Sequence, residues 1–173
     1  MKRWHQDIAR HIAKWSAQLG PRFWWPKYVY HFTDVRNAAR IIESGALYSR
    51  LEAQHQGVME VGNASGEIIG KTSLECQQYV RLYFRPRTPT QFNNEGIRPE
   101  GRRQLGAHCP VPVFFCFDAE TILSDDHTEF SDGNMASSGA AHSADRGFFL
   151  SIPFDLVFHD GWFPKENKIG RAS

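Results

Sequence analysis

The sequence lacks the features of membrane, disulfide and metal-binding proteins. No apolar run approaches the length of a transmembrane helix, and the N-terminus does not resemble a secretory signal. There are three cysteines (Cys76, Cys109 and Cys116), an odd number without metal-site spacing. We therefore expect a cytoplasmic protein in a reducing compartment, with no metal and no membrane partner.

The common catalytic and nucleotide-binding signatures are missing as well. There is no G-x-S-x-G and no recognised signature around any cysteine, so no motif supports a serine or cysteine nucleophile. The eight histidines lack H-E-x-x-H or paired-ligand spacing. Neither G-x-G-x-x-G nor a P-loop is present, which argues against Rossmann and P-loop nucleotide binding.

What the chain does contain is an ordinary globular composition with many aromatics. Its 173 residues are 41% hydrophobic and 23% charged, which predicts one domain over residues 1–173 with a real core. Because the net charge is only +1, any nucleic-acid binding must come from local clusters of Lys and Arg. The 13 Phe and 5 Trp suggest a compact core with a stacking surface.

The first 25 residues are predicted to be an amphipathic helix followed by a linker. Apolar residues recur at helical spacing up to Leu19, and Gly20-Pro21 ends the pattern. The basic residues of the other face either contact nucleic acid or are simply solvated, and the second interpretation is preferred. In the linker, Phe23, Trp24 and Trp25 are interpreted as a hydrophobic anchor.

The stretch from Tyr28 to Ser49 is the centre of the prediction. It begins as a strand that carries His31 near its end, and a helix follows from about Val35 to Glu43, with Thr33 and Asp34 as candidate N-caps. Its predicted apolar face consists of Ala38, Ile41 and Ile42. Gly45 is placed to end this helix in a left-handed conformation. The free amides at such a helix N-terminus suit a phosphate or pyrophosphate. The alternative is a histidine that is merely hydrogen-bonded at a strand–helix corner.

Short elements separated by long loops fill the rest of the chain. Residues 50–73 are read as a long glycine-rich loop with at most one helical turn. Strands are predicted at Val80–Phe84, at Gly147–Ile152 and, fully buried, at Val111–Phe117. A short helix is expected over Asp118–Leu123. This order has no parallel βαβ rhythm and favours an α+β fold.

Two further polar segments are candidates for a site. Arg85–Phe92 contains two prolines that hold Arg85 and Arg87 in a stiff turn, with the two side chains on opposite sides if the segment is extended. The planar fork of Arg87 suits a phosphate or pyrophosphate, and the alternative is a surface ion pair. Glu129–Ser138 is predicted to be a polar turn that reverses at Asp132-Gly133-Asn134.

Four motifs together resemble the DarT family of ADP-ribosyltransferase toxins. The first is Y-H-F-T-D-V-R-N-A-A-R-I-I-E-S-G-A-L, and the second is Y-F-R-P-R-T-P-T, beginning at Tyr83. The strand V-F-F-C-F and the turn F-S-D-G-N-M-A-S-S follow in the family's order. The four motifs cover roughly residues 28–165.

The resemblance implies a split antiparallel sheet with surrounding helices and a cleft for NAD⁺. It implies transfer of ADP-ribose to a base of single-stranded DNA, in a toxin that a macrodomain antitoxin counteracts. Arg87 would be the catalytic arginine, and residues 50–73 would correspond to the target-recognition loop. The cofactor-binding residues would be His31, Thr33, Asn37, Gly45 and Tyr83.

One departure concerns the family's catalytic glutamate, which is expected in a strand after a segment like Glu166–Arg171. The sequence given stops at Ser173, and the remaining downstream acids are Glu120, Glu129 and Glu166. Two alternatives to a DNA-modifying enzyme therefore stay open. One is an impaired relative that binds NAD⁺ or nucleic acid, and the other is a transferase acting on RNA or protein.

Overall fold

The computed structural model describes residues 1–62, 70, 73–88, 91, 95–97, 99, 101, 109–135 and 139–159. Within these ranges we number seven α-helices and four strands. The helices are α1 (His5–Gln18), α2 (Val35–Ser44), α3 (Arg50–His55), α4 (Leu74–Gln77), α5 (Ala119–Leu123), α6 (Arg146–Ser151) and α7 (Phe154–Val157). The strands are β1 (Tyr28–Asp34), β2 (Pro112–Asp118), β3 (Phe130–Ser131) and β4 (His142–Ser143).

The strands form two small sheets. β1 is the hydrogen-bonded neighbour of β2, and β3 pairs antiparallel with β4 so that Phe130 lies opposite Ser143. The loop of that hairpin closes where Asp132 and Ala141 exchange two hydrogen bonds. This mixture of helices and short sheets confirms the predicted α+β class. None of the described helices is long and apolar enough to cross a membrane.

The chain forms two compact units. The first contains Met1–Tyr30, Tyr83–Pro86 and the described residues from Cys116 onward. The second contains His31–Leu82 and the described residues of Arg87–Phe115. The chain passes from one unit to the other within β1 and again within β2, so neither unit is a continuous segment of sequence.

Aromatic rings fill the core of the first unit. Phe149 of α6 is fully buried, and its ring centroid lies 4.8 Å from that of Phe130, 5.3 Å from Phe154 and 4.9 Å from His11 of α1. Helix α1 is amphipathic as predicted and contributes the fully buried Ile8. Burying large rings in contact with one another supplies most of the stabilisation available to so small a unit.

The strand predicted at Gly147–Ile152 is wrong, since these residues lie mostly in α6. A short apolar run has no periodicity that separates a strand from a buried helix turn. Here tertiary packing decides, because one helical turn directs Phe149 into the aromatic core and leaves Leu150 51% exposed.

In the second unit, the predicted succession of β1 and α2 is confirmed. The carboxylate of Asp34 accepts a hydrogen bond from the backbone N–H of Arg36 and so caps α2. Gly45 ends the helix in the left-handed region, with φ of 67°. Ala38 is buried on the predicted apolar face, whereas Ile42 is exposed and does not belong to it.

The two other predicted strands differ from the structure. β2 is a strand, but most of its side chains are only half-buried and Cys116 is exposed, so the prediction of a fully buried strand is wrong. In the second unit Phe32 of β1 packs against Phe114 of β2, at 6.1 Å between centroids. Val80–Phe84 is not a strand and forms a single antiparallel bridge, between Tyr83 and Tyr30.

The segment 50–73, predicted to be a loop with at most one helical turn, begins with the six-residue helix α3. Three predicted segments lie partly outside the described residues. The parts not described are residues 63–69, 71 and 72 of the 50–73 segment, residues 89, 90 and 92 of the 85–92 turn, and residues 136–138 of the polar turn.

Candidate functional site

His31 is held in one tautomer by the backbone of the second unit. Its Nδ1 lies 3.2 Å from the carbonyl oxygen of Arg81. Because a carbonyl only accepts, Nδ1 carries the proton and Nε2 presents a lone pair. Burial lowers the pKa of the imidazole, and the hydrogen bond to Arg81 opposes this in part. His31 is therefore a neutral ring with a defined acceptor at neutral pH.

Asn37 uses its whole side-chain amide to fix the segment after α3. Its Nδ2 donates to Thr33 Oγ1 at 3.2 Å and to the carbonyl of Val61 at 2.8 Å. Its Oδ1 accepts from the backbone N–H groups of Glu60 and Val61, at 3.0 and 2.9 Å. Two donors and two acceptors are the full capacity of an amide. Asn37 and the buried Thr33 thus position residues 60–61 beside β1 and α2.

Two backbone amides at the N-terminus of α2 already have acceptors. The Asp34 carboxylate, fully buried, accepts from the N–H of Arg36 at 3.1 Å and from its Nε at 2.8 Å. The N–H of Val35 donates to the carbonyl of Val111 at 3.0 Å. These two amides are therefore occupied by groups of the protein itself, and a carboxylate paired with an arginine lies at the helix end where the sequence predicted a phosphate.

Tyr83 and Gly45 have structural roles that depend on their backbones, Tyr83 in a bridge to Tyr30 and Gly45 at the end of α2. Tyr83 exchanges two 2.8 Å hydrogen bonds with Tyr30 in the first unit. The Tyr30 hydroxyl donates to the carbonyl of Trp25, and burial raises its pKa. Gly45 lies at the exposed end of α2, with open space where a Cβ would stand.

The two arginines of the proline-rich turn separate as expected. Arg85 is buried in the first unit, with its guanidinium 2.8 Å from Nε2 of His159, and burial lowers its pKa. Arg87 belongs to the second unit with His31 and is exposed. Among the described residues it forms no ion pair with a carboxylate.

The structure adds two arginines that the sequence reasoning missed. Arg50, at the start of α3, is half-buried, and its pKa is lowered first by burial and then by the positive charge of Arg81. Within the described ranges neither arginine has a carboxylate partner, and Arg50 Nε has no hydrogen-bond acceptor. Arg81 thus links His31 and Arg50, because its backbone carbonyl accepts from His31 and its charge acts on Arg50. We call Arg50, Arg81 and His31 the arginine neighbourhood.

A sequence signal for Arg50 did exist. Ser49-Arg50-Leu51-Glu52 has the S-x-x-E spacing of a capping box, and in the structure the Ser49 hydroxyl accepts from the N–H of Glu52 at 3.2 Å. This pattern predicts a helix with Arg50 at its first position. No local sequence pattern predicts the interaction of Arg50 with Arg81.

The downstream acids have separate surroundings. Glu129 is hydrogen-bonded to Nδ1 of His142 at 2.5 Å in the first unit, where the β3–β4 hairpin brings them together. Glu120 is exposed on α5, and Glu166 lies outside the described residues. No group of three metal-ligating side chains occurs among the residues that the structure describes.

Two solved structures of DarT from Thermus sp. 2.9 have the same fold as this chain. DarT of Thermus sp. 2.9 in complex with ADP-ribosylated ssDNA is 18% identical, with a TM-score of 0.64 over 85% of this chain and 71% of that chain. The same protein in complex with NAD⁺ is 16% identical, with a TM-score of 0.60 over 84% of this chain and 71% of that chain. The fold is thus that of an ADP-ribosyltransferase.

A protein-family model gives the family. The model described as "ssDNA thymidine ADP-ribosyltransferase, DarT" matches residues 30–173. The chain therefore belongs to the DarT family, and it is an NAD-dependent ADP-ribosyltransferase of single-stranded DNA. A search of curated protein sequences gave no match.

Proposed function

We propose that the chain transfers ADP-ribose from NAD⁺ to a thymine of single-stranded DNA, using the arginine neighbourhood around His31. The observation that carries this proposal is the half-buried Arg50, whose Nε has no hydrogen-bond acceptor and which pairs with no carboxylate among the described residues. A half-buried guanidinium with an unused N–H donor is suited to an anionic ligand. NAD⁺ supplies a pyrophosphate, and DNA supplies phosphodiesters.

The chemistry makes modest demands on the protein. The bond between nicotinamide and ribose breaks with its electron pair on nicotinamide, and C1′ passes through an oxocarbenium-like state. A nitrogen of the base then forms the new bond and loses its proton. Clamping the pyrophosphate and placing the base are the main catalytic tasks. The bound NAD⁺ and ADP-ribosylated ssDNA of the Thermus protein support the same two ligands here.

The roles of individual residues follow from their surroundings. Arg50 and Arg81 are proposed to hold the pyrophosphate, and His31 Nε2 to accept a hydrogen bond from NAD⁺. Arg87 remains the proposed catalytic arginine, because an exposed guanidinium is available to orient a diphosphate or contact an incoming strand. Thr33, Asn37, Gly45 and Tyr83 are proposed to serve NAD⁺ binding by fixing the backbone around it.

The biological setting belongs to the same proposal. A cytoplasmic toxin or anti-phage effector that modifies DNA needs control, and a macrodomain antitoxin that removes ADP-ribose would supply it. We also infer one functional domain. The family model runs continuously through residues 30–173, and both compact units contribute to it.

The test is the intact mass of short single-stranded oligonucleotides, one for each base, after incubation with NAD⁺. We expect one ADP-ribose on the thymine oligonucleotide only. Arg50→Ala and Arg87→Ala should each lower the rate by roughly 100-fold, which is typical of losing one electrostatic contact to the transition state. The matched control is Arg40→Ala, a surface arginine paired with Glu43 and Glu60.

Three results would count against the proposal. Unchanged rates in both arginine variants would remove these side chains from the mechanism. Modification of RNA or protein in place of DNA would overturn the acceptor. NAD⁺ binding without any transfer, measured by calorimetry and nicotinamide release, would identify an impaired relative.

A further inference from the structure

An exposed aromatic surface precedes the region that the family model matches. Phe23 is 50% exposed, Trp24 38% and Tyr28 39%, and all three come before residue 30. They lie on a short segment of the first unit that follows α1 and ends at Tyr28, the first residue of β1. We call Phe23, Trp24, Lys27 and Tyr28 the aromatic platform. The interpretation of this linker as a hydrophobic anchor holds for Trp25, which is buried, but not for the platform.

Trp24 and Tyr28 of the aromatic platform both lie against the ring of the buried Tyr30. The ring of Trp24 meets those of Trp25 and Tyr30 edge to face, at centroid distances of 6.3 and 6.1 Å. Two 3₁₀ turns, Gly20–Arg22 and Trp25–Lys27, each contain a proline that restricts the backbone. Rings fixed in this way lose little conformational entropy when a planar ligand stacks on them.

The stretch of sequence that contains the aromatic platform has no acidic residue. Residues 8–33 contain no Asp or Glu and four Lys or Arg, although the whole chain has a net charge of only +1. One of these cations, Lys27, belongs to the platform, and its Nζ lies 5.1 Å from the centroid of the Phe23 ring. A positive segment with exposed rings is complementary to a polyanion whose bases are unpaired.

We propose that the aromatic platform binds the bases of single-stranded DNA by stacking, as an accessory site on the first unit. Phe23, Trp24 and Tyr28 offer faces to the bases, and Lys27 contacts the backbone phosphates. This rests on the proposed function, because the polymer is the acceptor DNA. Stacking requires no particular base, so the platform adds affinity and reach without adding sequence preference.

The test is binding of a fluorescent oligothymidylate of about 12 nucleotides, compared with an abasic strand and a duplex of the same length. We expect quenching of tryptophan fluorescence by the thymidine strand only. The double variant Phe23→Ala/Tyr28→Ala should weaken binding about 5- to 20-fold, as the loss of roughly one stacked base implies. Lys27→Ala should reduce the salt dependence of binding by about one phosphate contact.

Matched controls separate stacking from general damage. Leu150→Ala removes an equally exposed apolar side chain of the same unit, and Arg3→Ala removes an exposed cation. Both should bind DNA like the unaltered protein. Trp24 itself is left in place, because its contacts with Trp25 and Tyr30 make its removal a stability change as well.

A second length of DNA distinguishes failure of this inference from failure of the proposed function. Modification of a tetranucleotide, about the smallest strand such proteins hold, should be unchanged in the double variant. Modification of the longer strand at limiting concentration should fall with its affinity. If no strand is modified, the proposed function fails, while stacking is still judged by the binding data.

Three outcomes would overturn the aromatic platform as a DNA site. They are equal binding of the abasic and thymidine strands, unaltered affinity in the double variant, and a dimer in solution that the double variant dissociates. The last would identify the surface as an interface between two copies of the chain.

Discussion

Different interactions stabilise the interior of each compact unit. The first has an aromatic core in which Phe149 is fully buried against other rings. The second depends on directional polar contacts, of which the four hydrogen bonds of Asn37 are the densest example. Apolar burial stabilises a unit without fixing positions sharply, whereas hydrogen bonds fix positions and contribute less net stability.

The difference bears on where most of the proposed site residues occur. His31, Asn37, Arg50 and Arg81 belong to the second unit, where the Arg81 carbonyl orients His31 and backbone groups of Glu60 and Val61 orient Asn37. A transferase that handles a charged dinucleotide needs this kind of placement. The first unit supplies stability and the exposed aromatic platform. Substitutions in the two units should therefore have effects of different kinds.

The largest expected effect is on the aromatic core. Phe149→Ala should lower the free energy of unfolding by about 3–5 kcal/mol, since it removes a buried ring and leaves a cavity. Leu150→Ala, one position further, should change it by less than about 0.5 kcal/mol because Leu150 is exposed. Urea denaturation followed by tryptophan fluorescence measures both. Similar costs for the two variants would contradict the packing described here.

Asn37→Ala should destabilise the protein less than Phe149→Ala but should weaken NAD⁺ binding more. It deprives the N–H groups of Glu60 and Val61 and the Val61 carbonyl of their partner, at about 2 kcal/mol. We expect faster proteolytic cleavage near residue 60 and weaker NAD⁺ binding by calorimetry. The control, Arg40→Ala, breaks an exposed ion pair with Glu60 and should leave both unchanged. Normal NAD⁺ affinity in the Asn37 variant would refute a positioning role.

The aromatic core should also make stability depend on pH. Burial, with a smaller contribution from Lys14, lowers the pKa of His11 from 6.5 to about 4. The unfolded chain therefore binds a proton first, and stability falls as the pH drops from about 6.5 towards 4. The loss should be about 2 kcal/mol at pH 5. Chemical denaturation between pH 7 and pH 5 measures it, and His11→Phe should remove most of this slope. An equal slope in both proteins would assign the dependence elsewhere.

The smallest effect separates two roles for Gly45. Its φ of 67° at the end of α2 means that Gly45→Ala should destabilise the protein by about 1 kcal/mol. If the glycine acts only as a helix end, NAD⁺ affinity is unchanged once the protein is fully folded. A tenfold loss of affinity in the folded variant would instead make Gly45 part of the cofactor site. Gly57→Ala is a matched control, with φ of 66° in the segment after α3.

The sequence was most informative where the signals are local. The strand β1, the Asp34 cap, the end of α2 at Gly45 and the helix after Asp118 each follow from a few adjacent residues. α6 was predicted to be a strand because its short apolar run is compatible with both a strand and a helix. Only the packing of Phe149 in the aromatic core favours the helix.

The arginine neighbourhood shows what local reasoning cannot reach. Arg50 could have been placed on a helix from its capping box, but its interaction with Arg81 depends on the path of the chain between them. The same is true of the Arg81 carbonyl that sets the tautomer of His31. Likewise, Asp34 was recognised as a cap, yet its burial as an anion where phosphate was expected required the tertiary structure.

The role proposed for Arg50 and Arg81 would also make the protein's stability respond to its substrate. Their positive charges interact, and neither pairs with a carboxylate among the described residues. An anionic ligand bound there would act as their counterion and would stabilise the folded chain more as its concentration rises above its dissociation constant. The supply of dinucleotide in the cell would then set how long the enzyme survives as well as how fast it works.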